Sequence, residues 1–357
     1  MASNYSPYRC HRDHFATNSQ VSSQLVMGAL PSTHVEVSII IPTFRRAELL
    51  NQALVSALSQ TDFPNYEVVV VDNNGEQADP ATEDVIRRHL TDRVRYYRNK
   101  KNIGMTGNWN RGIELATGNW ITILHDDDWL APTFLATMFG TMPSNANLAT
   151  CAVLSGTHSY DPARLPPSSQ EKPQWHRIRP PRLIVSNISL APGVLMHKNL
   201  AVSLGGFDDD LYPCADYDFY IRATLLGTAY SLAENLAYYR TSDSQTYKGN
   251  TLEQIITVSS KIKCGLLQEF PSVTGLIFFI NAMRECHVLA DLHGLKINES
   301  KTHHKIVKRI NQSRAASLAV KLASRIAYFI EMLRSRGYQP KAGARANSTR
   351  RRRGVFR

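Results

Sequence analysis

The sequence predicts an α/β protein, a doubly wound and mainly parallel sheet followed by a C-terminal helical extension. Three observations carry that expectation. Continuous β-branched runs alternate with stretches of helical periodicity from residue 37 to about residue 140. The early runs do not alternate with polar residues, as strands covered on both faces do not. From about residue 250 onward the chain has helical character and few turn signals.

The elements follow in order. Residues 1–34 are polar, lack the apolar core of a secretory leader, and are expected to form a flexible N-terminal segment. Residues 37–41, ended by Pro42, form a buried parallel strand. Leu49, Leu50, Ala53, Leu54, Ala57 and Leu58 then recur at helical spacing. Residues 66–71 form a second buried strand, with Asp72 directly at its C-terminal end. A short helix over 85–90 and a strand over 94–97 come next. Residues 110–116 form a helix closed by Thr117 and Gly118. A strand over 120–124 runs straight into His125, Asp126, Asp127 and Asp128, and Pro132 suits the first turn of another helix.

Residues 156–182, rich in proline, serine and basic residues, are expected to be a long loop. A Gly205-Gly206 turn precedes a helix over 215–226, and 230–240 is strand. The resulting division is 1–34, an α/β domain over 35–245, a helical region over 246–340, and a basic disordered tail over 341–357.

Composition narrows the function classes. Of the 357 residues, 43% are hydrophobic, enough for a substantial core and unlike a disordered chain. The net charge of +11 is largely a tail property, because residues 341–357 hold Lys341, Arg345, Arg350, Arg351, Arg352, Arg353 and Arg357 and no carboxylate. Such a tail suits anionic lipid, nucleic acid or solubility alike. The five cysteines lie far apart, without metal-finger spacing, which fits a reduced, cytoplasmic setting. No stretch is apolar enough to span a bilayer. Cytoplasmic residence is expected, with peripheral contact at the inner face of an anionic membrane left open and no specific nucleic acid partner.

The strongest chemical signal is Asp126-Asp127-Asp128 after an apolar strand. An isolated acidic triplet is most often a solvated turn before a helix. At the end of a buried strand, however, three adjacent carboxylates repel one another unless a cation neutralises them. Hard oxygen ligands on a short turn suit Mg2+ or Mn2+, with phosphate oxygens of a substrate completing the shell. Asp72 occupies a second strand end, where it can accept from a base or ribose, or simply shape the Asp-Asn-Asn-Gly turn. Asp216 and Asp218 stand at a helix start, as a general base or as ordinary capping residues. Trp129 is the one tryptophan expected to line the site. No P-loop, G-x-G-x-x-G or H-E-x-x-H is present.

Four blocks, VSIIIPTFRR (37–46), EVVVVDNNG (67–75), NKKNIGMTGNWNRGIELATGNWITILHDDDWLAP (99–132) and GGFDDDLYPCADYDFYIR (205–222), together resemble the family 2 inverting glycosyltransferases. The resemblance covers about 37–240 and implies a GT-A type fold acting on a nucleotide-diphospho-sugar. It implies donor-binding roles for Pro42, Thr43 and Asp72, with Asn102 and Gly104 in the segment that closes over the nucleotide. It implies metal ligation by the acidic motif (Asp127, with Asp128 beside it), a ribose or metal contact from Asp126, and Asp216 as catalytic base. Partners would be a nucleotide-sugar donor and a saccharide or lipid-linked acceptor, as in bacterial-type polysaccharide or glycolipid synthesis.

Three positions depart from the family pattern. His125 stands where many members carry an aspartate, Ala215 replaces a glutamate, and Ser242 stands where a histidine is common. A catalytically impaired scaffold and a nucleotidyltransferase remain as rival readings.

Overall fold

The valine and isoleucine runs form the centre of the sheet. The computed structural model describes residues 6–7, 12–165, 173–184, 191–242, 251–292 and 310–335. Among the described residues the strands are β1 (Ser23–Met27), β2 (Val37–Thr43), β3 (Tyr66–Asp72), β4 (Val94–Asn99), β5 (Trp120–Ile123), β6 (Trp129–Leu130), β7 (Leu148–Gly156), β8 (Trp175–Arg177), β9 (Val194–His197) and β10 (Ala229–Arg240). They join in one sheet of order β1-β4-β3-β2-β5-β9-β7-β10-β6, with β8 on β10. Strands β4, β3, β2 and β5 run parallel, as do β7 and β10. Strands β1, β6, β8 and β9 pair antiparallel.

The chain winds from β2 outward to β4, then returns to lay β5 on the other side of β2. That reversal opens a crevice at the C-terminal ends of β2 and β5, where open α/β sheets bind ligands.

The helices are α1 (Ala47–Leu58), α2 (Pro80–Arg88), α3 (Gly104–Leu115), α4 (Phe134–Thr141), α5 (Pro180–Leu183), α6 (Lys198–Ser203), α7 (Ala215–Leu226), α8 (Thr251–Glu269), α9 (Val273–Leu292) and α10 (Arg314–Ser335). Strand β2 shows why its sequence is continuous and not alternating. Ile39 and Ile41 enter one core with Leu50, Val68, Ile86 and Phe134, whereas Ile40 enters another with Trp109, Ile113 and Ile121. Successive side chains point to opposite faces, and both faces are covered. Each such aliphatic side chain contributes about 1.5–3 kcal/mol on burial. The second core also takes Ile262 and Leu266 from α8 and Phe278 and Met283 from α9, so the helical region helps to close this face.

Several boundaries differ from the sequence expectation, each for a local reason. Within the expected flexible lead-in, Ser23–Met27 is an edge strand on β4, fixed by the Ser23 hydroxyl donating to Asn99 Oδ1 at 2.6 Å. Helix α2 begins at Pro80, ahead of the apolar pattern, because the Asp79 side chain accepts from the Ala81 N–H and Pro80 presets the first turn. Helix α3 starts at Gly104, whose φ of +77° favours glycine. The expected loop over 156–182 contains β8 and α5; its residues 166–172 lie outside the described residues, as does the basic tail 341–357.

Candidate active site

Three strand ends meet at the crevice. Thr43 of β2 is the cross-strand partner of Asp72 of β3, and the Asn73 N–H donates to the Thr43 carbonyl at 2.9 Å. The Thr43 hydroxyl in turn donates to Asp126 Oδ2 at 2.8 Å. Pro42, just before it, is buried within β2.

The acidic turn is buried: Asp126, Asp127 and Asp128 are 5%, 8% and 1% exposed. Arg46 Nη1 donates to Asp126 Oδ1 at 2.8 Å and to Asp127 Oδ2 at 3.0 Å. It is delivered by a turn in which Arg45 is left-handed, at φ +54°. Asp128 Oδ1 accepts the Arg240 N–H at 2.9 Å, and Arg240 Nε donates to the Asp127 carbonyl at 2.9 Å. Asp128 Oδ2 has no hydrogen-bond partner and lies 3.6 Å from His125 Nδ1, while His125 Nε2 is a second buried atom without one.

Electrostatics follow from that burial. It pushes the Asp126 carboxyl up to about 6, against the opposing pull of Arg46. Burial and then the Asp127 charge push Asp128 well above the usual carboxylate range. The His125 imidazole is pushed down, chiefly by burial.

Ligand atoms of His125, Asp127 and Asp128 all lie within 4.8 Å of one another. Two of these residues present a buried atom without a hydrogen-bond partner. The set therefore fits a divalent cation with oxygen preference, with His125 joining the two aspartates.

Asp72 is fully buried; Tyr96 donates to its Oδ2 at 2.8 Å and the Asn74 N–H to its Oδ1 at 3.0 Å. Burial raises its pKa. Next to it, Asn73 Nδ2 donates to Asn102 Oδ1 at 2.9 Å and to the Gly104 carbonyl at 3.0 Å, and Asn73 Oδ1 accepts the Ile103 N–H at 3.0 Å. Asn99 Nδ2 is shared between Asn73 and Asn108. These amides fasten the Asn102–Gly104 segment to the end of β3.

Asp216 lies half-buried in the first turn of α7, its Oδ1 accepting the Tyr217 N–H at 2.7 Å. An aromatic column joins this helix to the acidic turn: His125 stacks on Trp109, Trp109 meets Phe207 edge-on at 5.1 Å, and Phe207 stacks on Phe219 at 3.9 Å. Asp218 is fully buried and accepts from Arg222 Nε at 2.8 Å, while Arg222 also holds the Leu204 and Gly206 carbonyls. Its work is structural.

Residues 38–191 match the sequence profile of glycosyl transferase family 2. The chain carries a family 2 glycosyltransferase domain. It is 26% identical over 212 residues to an uncharacterized glycosyltransferase of Haemophilus influenzae, covering 57% of this chain and 67% of that one. It is 35% identical over 104 residues to the GalNAc(5)-diNAcBac-PP-undecaprenol beta-1,3-glucosyltransferase of Campylobacter jejuni, a match spanning 29% of this chain and 33% of that protein's length. In fold it is similar to the mannosyltransferase PcManGT of Pyrobaculum calidifontis, solved with GDP-Man and Mn2+: TM-score 0.50, 15% identity, 87% of this chain and 90% of that one. The fold is of the GT-A type.

Within this domain, Thr43, Asp126, Asp127 and Asp128 form one cluster connected through Arg46 and Arg240, while Asp72, Asn102 and Gly104 meet through Asn73. Trp129 departs from expectation: pairing of β6 with β10 buries it completely and stacks it on Tyr238 at 4.4 Å, so it is core and not site wall. Sequence reasoning missed Arg46, Arg240, His125 as a candidate ligand, and the Asn73–Asn99–Asn108 network. Arg46 had one usable signal, a cation three residues beyond a strand whose neighbour runs into three carboxylates.

Proposed function

We propose that the chain transfers a sugar from a nucleotide-diphospho-sugar to an acceptor hydroxyl with inversion, in a reaction that requires Mn2+ or Mg2+. The observation that carries this reading is the buried acidic turn at the sheet reversal, where Asp128 Oδ2 and His125 Nε2 have no hydrogen-bond partner. Asp127 and Asp128 with His125 would hold the metal, and Asp126 would stay with Thr43 at the ribose side. A divalent ion there would supply charge neutralisation for a leaving nucleoside diphosphate. The solved mannosyltransferase with GDP-Man and Mn2+ supports such a donor and ion.

The protein's own residues divide the remaining tasks. Asp72 and the asparagine network hold the 73–75 turn and the Asn102–Gly104 segment against the nucleotide, a role that needs Asp72 to share an oxygen it already uses. Asp216 accepts the proton of the acceptor hydroxyl as that oxygen attacks the anomeric carbon. The bond to the nucleoside diphosphate breaks on the opposite face, which inverts the configuration. The lipid-linked substrate in the name of the Campylobacter relative supports a saccharide or lipid-linked acceptor, peripheral membrane contact, and a place in polysaccharide or glycolipid synthesis.

Incubating the protein with a panel of nucleotide sugars and Mn2+ tests this reading. Release of nucleoside diphosphate that chelator abolishes is expected. Release of pyrophosphate from a nucleoside triphosphate and a sugar 1-phosphate, with the nucleotide sugars left intact, would indicate a nucleotidyltransferase, and full turnover in excess chelator would show that no metal is required.

A further inference from the structure

Helix α10 is amphipathic in the reverse sense. In a helix docked on a soluble domain the large aliphatic residues face inward. Here α10 buries small residues, Ser324 at 8% and Ala327 at 3% exposure, and sends Leu318, Leu322 and Ile326 outward at 68%, 58% and 52%. Their spacing of four places them in one row along the helix. Arg314 heads the row, and Lys321 and Arg325 flank it, all three exposed.

Charge is segregated in the same part of the sequence. Residues 300–357 contain 16 lysines and arginines and one carboxylate, Glu331, leaving 25 cations against 29 carboxylates for the rest of the chain. The row continues in sequence with Phe329, Ile330 and Leu333, whose side chains lie outside the described residues. Among the described residues no helix is long and apolar enough to cross a membrane.

We propose that this face of α10 docks the protein on an anionic lipid surface, with the helix lying in the plane of the interface. Leu318, Leu322 and Ile326 enter the acyl boundary, while Arg314, Lys321 and Arg325 extend to the headgroup phosphates. Charge complementarity selects this occupant. A symmetric dimer through the same face would oppose its cations to their own copies, with no carboxylate between 300 and 330 to pair them. Nucleic acid would use the cations and leave the aliphatic row in water. The inference extends the proposed transfer to a membrane-borne acceptor, and its test is independent of turnover.

Flotation of the full chain decides it, using phosphatidylcholine vesicles with and without one-third phosphatidylglycerol, and sedimentation without lipid. The wild-type protein is expected to float with the anionic vesicles alone. Leu322→Asp, at an exposed position outside the site, should lower partitioning about tenfold or more. Arg325→Gln should lower it about fivefold. Both should leave nucleotide-sugar turnover unchanged.

Absence of wild-type flotation, equal flotation with neutral vesicles, or wild-type behaviour of Leu322→Asp would each overturn the proposal. A lipid-independent dimer that Leu322→Asp converts to monomer would also overturn it, assigning the face to a second copy. Flotation without turnover would leave this docking standing and remove the transferase reading; turnover without flotation would do the reverse.

Discussion

Arg46 does with one nitrogen what a cation would do at the same carboxylates: it bridges Asp126 and Asp127. Replacing it with Met should destabilise the metal-free protein by roughly 2 kcal/mol, below the ~3–5 kcal/mol typical of a fully buried pair because Arg46 is partly exposed. Mn2+ should then raise the variant's melting temperature more than it raises that of the wild type, which a thermal-shift titration measures. An equal or smaller metal shift would mean that Arg46 does not compensate the acidic turn. Their place at a helix start leaves Asp216 and Asp218 interchangeable; the family resemblance favours Asp216, and the packing of α7 buries Asp218 against Arg222. Asp218→Asn should cost about 3 kcal/mol in chemical denaturation by weakening a buried ion pair, while the folded fraction still turns over. The acidic triplet was legible because apolar residues lead directly into it. The partners of Asp128 were not, since Arg240 arrives from 112 residues away.

At the scale of elements, the strands that carry the site were the readable part, because both-face burial imposes unbroken apolar runs on β2 and β3. The opposite holds for the stretch between β4 and α3. Its asparagines satisfy one another through the fold, so no local periodicity marks them, and the start of α3 was expected six residues late. Gly104 offers a clean test of that segment. Nothing lies within 4 Å of an added Cβ, so Gly104→Ala should cost only backbone strain, about 1–2 kcal/mol. Donor affinity should weaken with it if the segment closes over the nucleotide. Calorimetric titration of donor would show unchanged affinity if Gly104 serves folding alone. Strand β1 escaped notice because its residues are only partly buried and its partner is far away in sequence.

Across the whole molecule, the acidic turn, which Arg46 compensates only in part, links stability, pH and metal. The folded-state pKa of Asp126, about 6, lies above its ordinary value of 3.8, so the folded protein binds this proton more tightly than the unfolded chain. The associated stabilisation is complete below the unfolded value and disappears as pH rises through 6. Metal-free protein should therefore lose stability from this group as pH rises from about 4 to about 6, and the Mn2+-induced gain should grow over the same window. Melting curves of wild type and Asp126→Asn across that range isolate the contribution; identical slopes would contradict it.

The sheet reversal that gathers the carboxylates was expected from the alternation of elements. Folding of α8 and α9 onto the second core was not, because helical periodicity identifies an apolar face without naming its partner. The most direct test of the central claim compares Asp127→Asn with Asp216→Asn, measuring donor binding with Mn2+ separately from sugar turnover. Asp127→Asn should lose metal-dependent donor binding. Asp216→Asn should bind donor nearly as the wild type does while turnover falls about a hundredfold to ten-thousandfold. Turnover of Asp216→Asn close to the wild-type rate, or donor binding by Asp127→Asn unchanged in Mn2+, would contradict it.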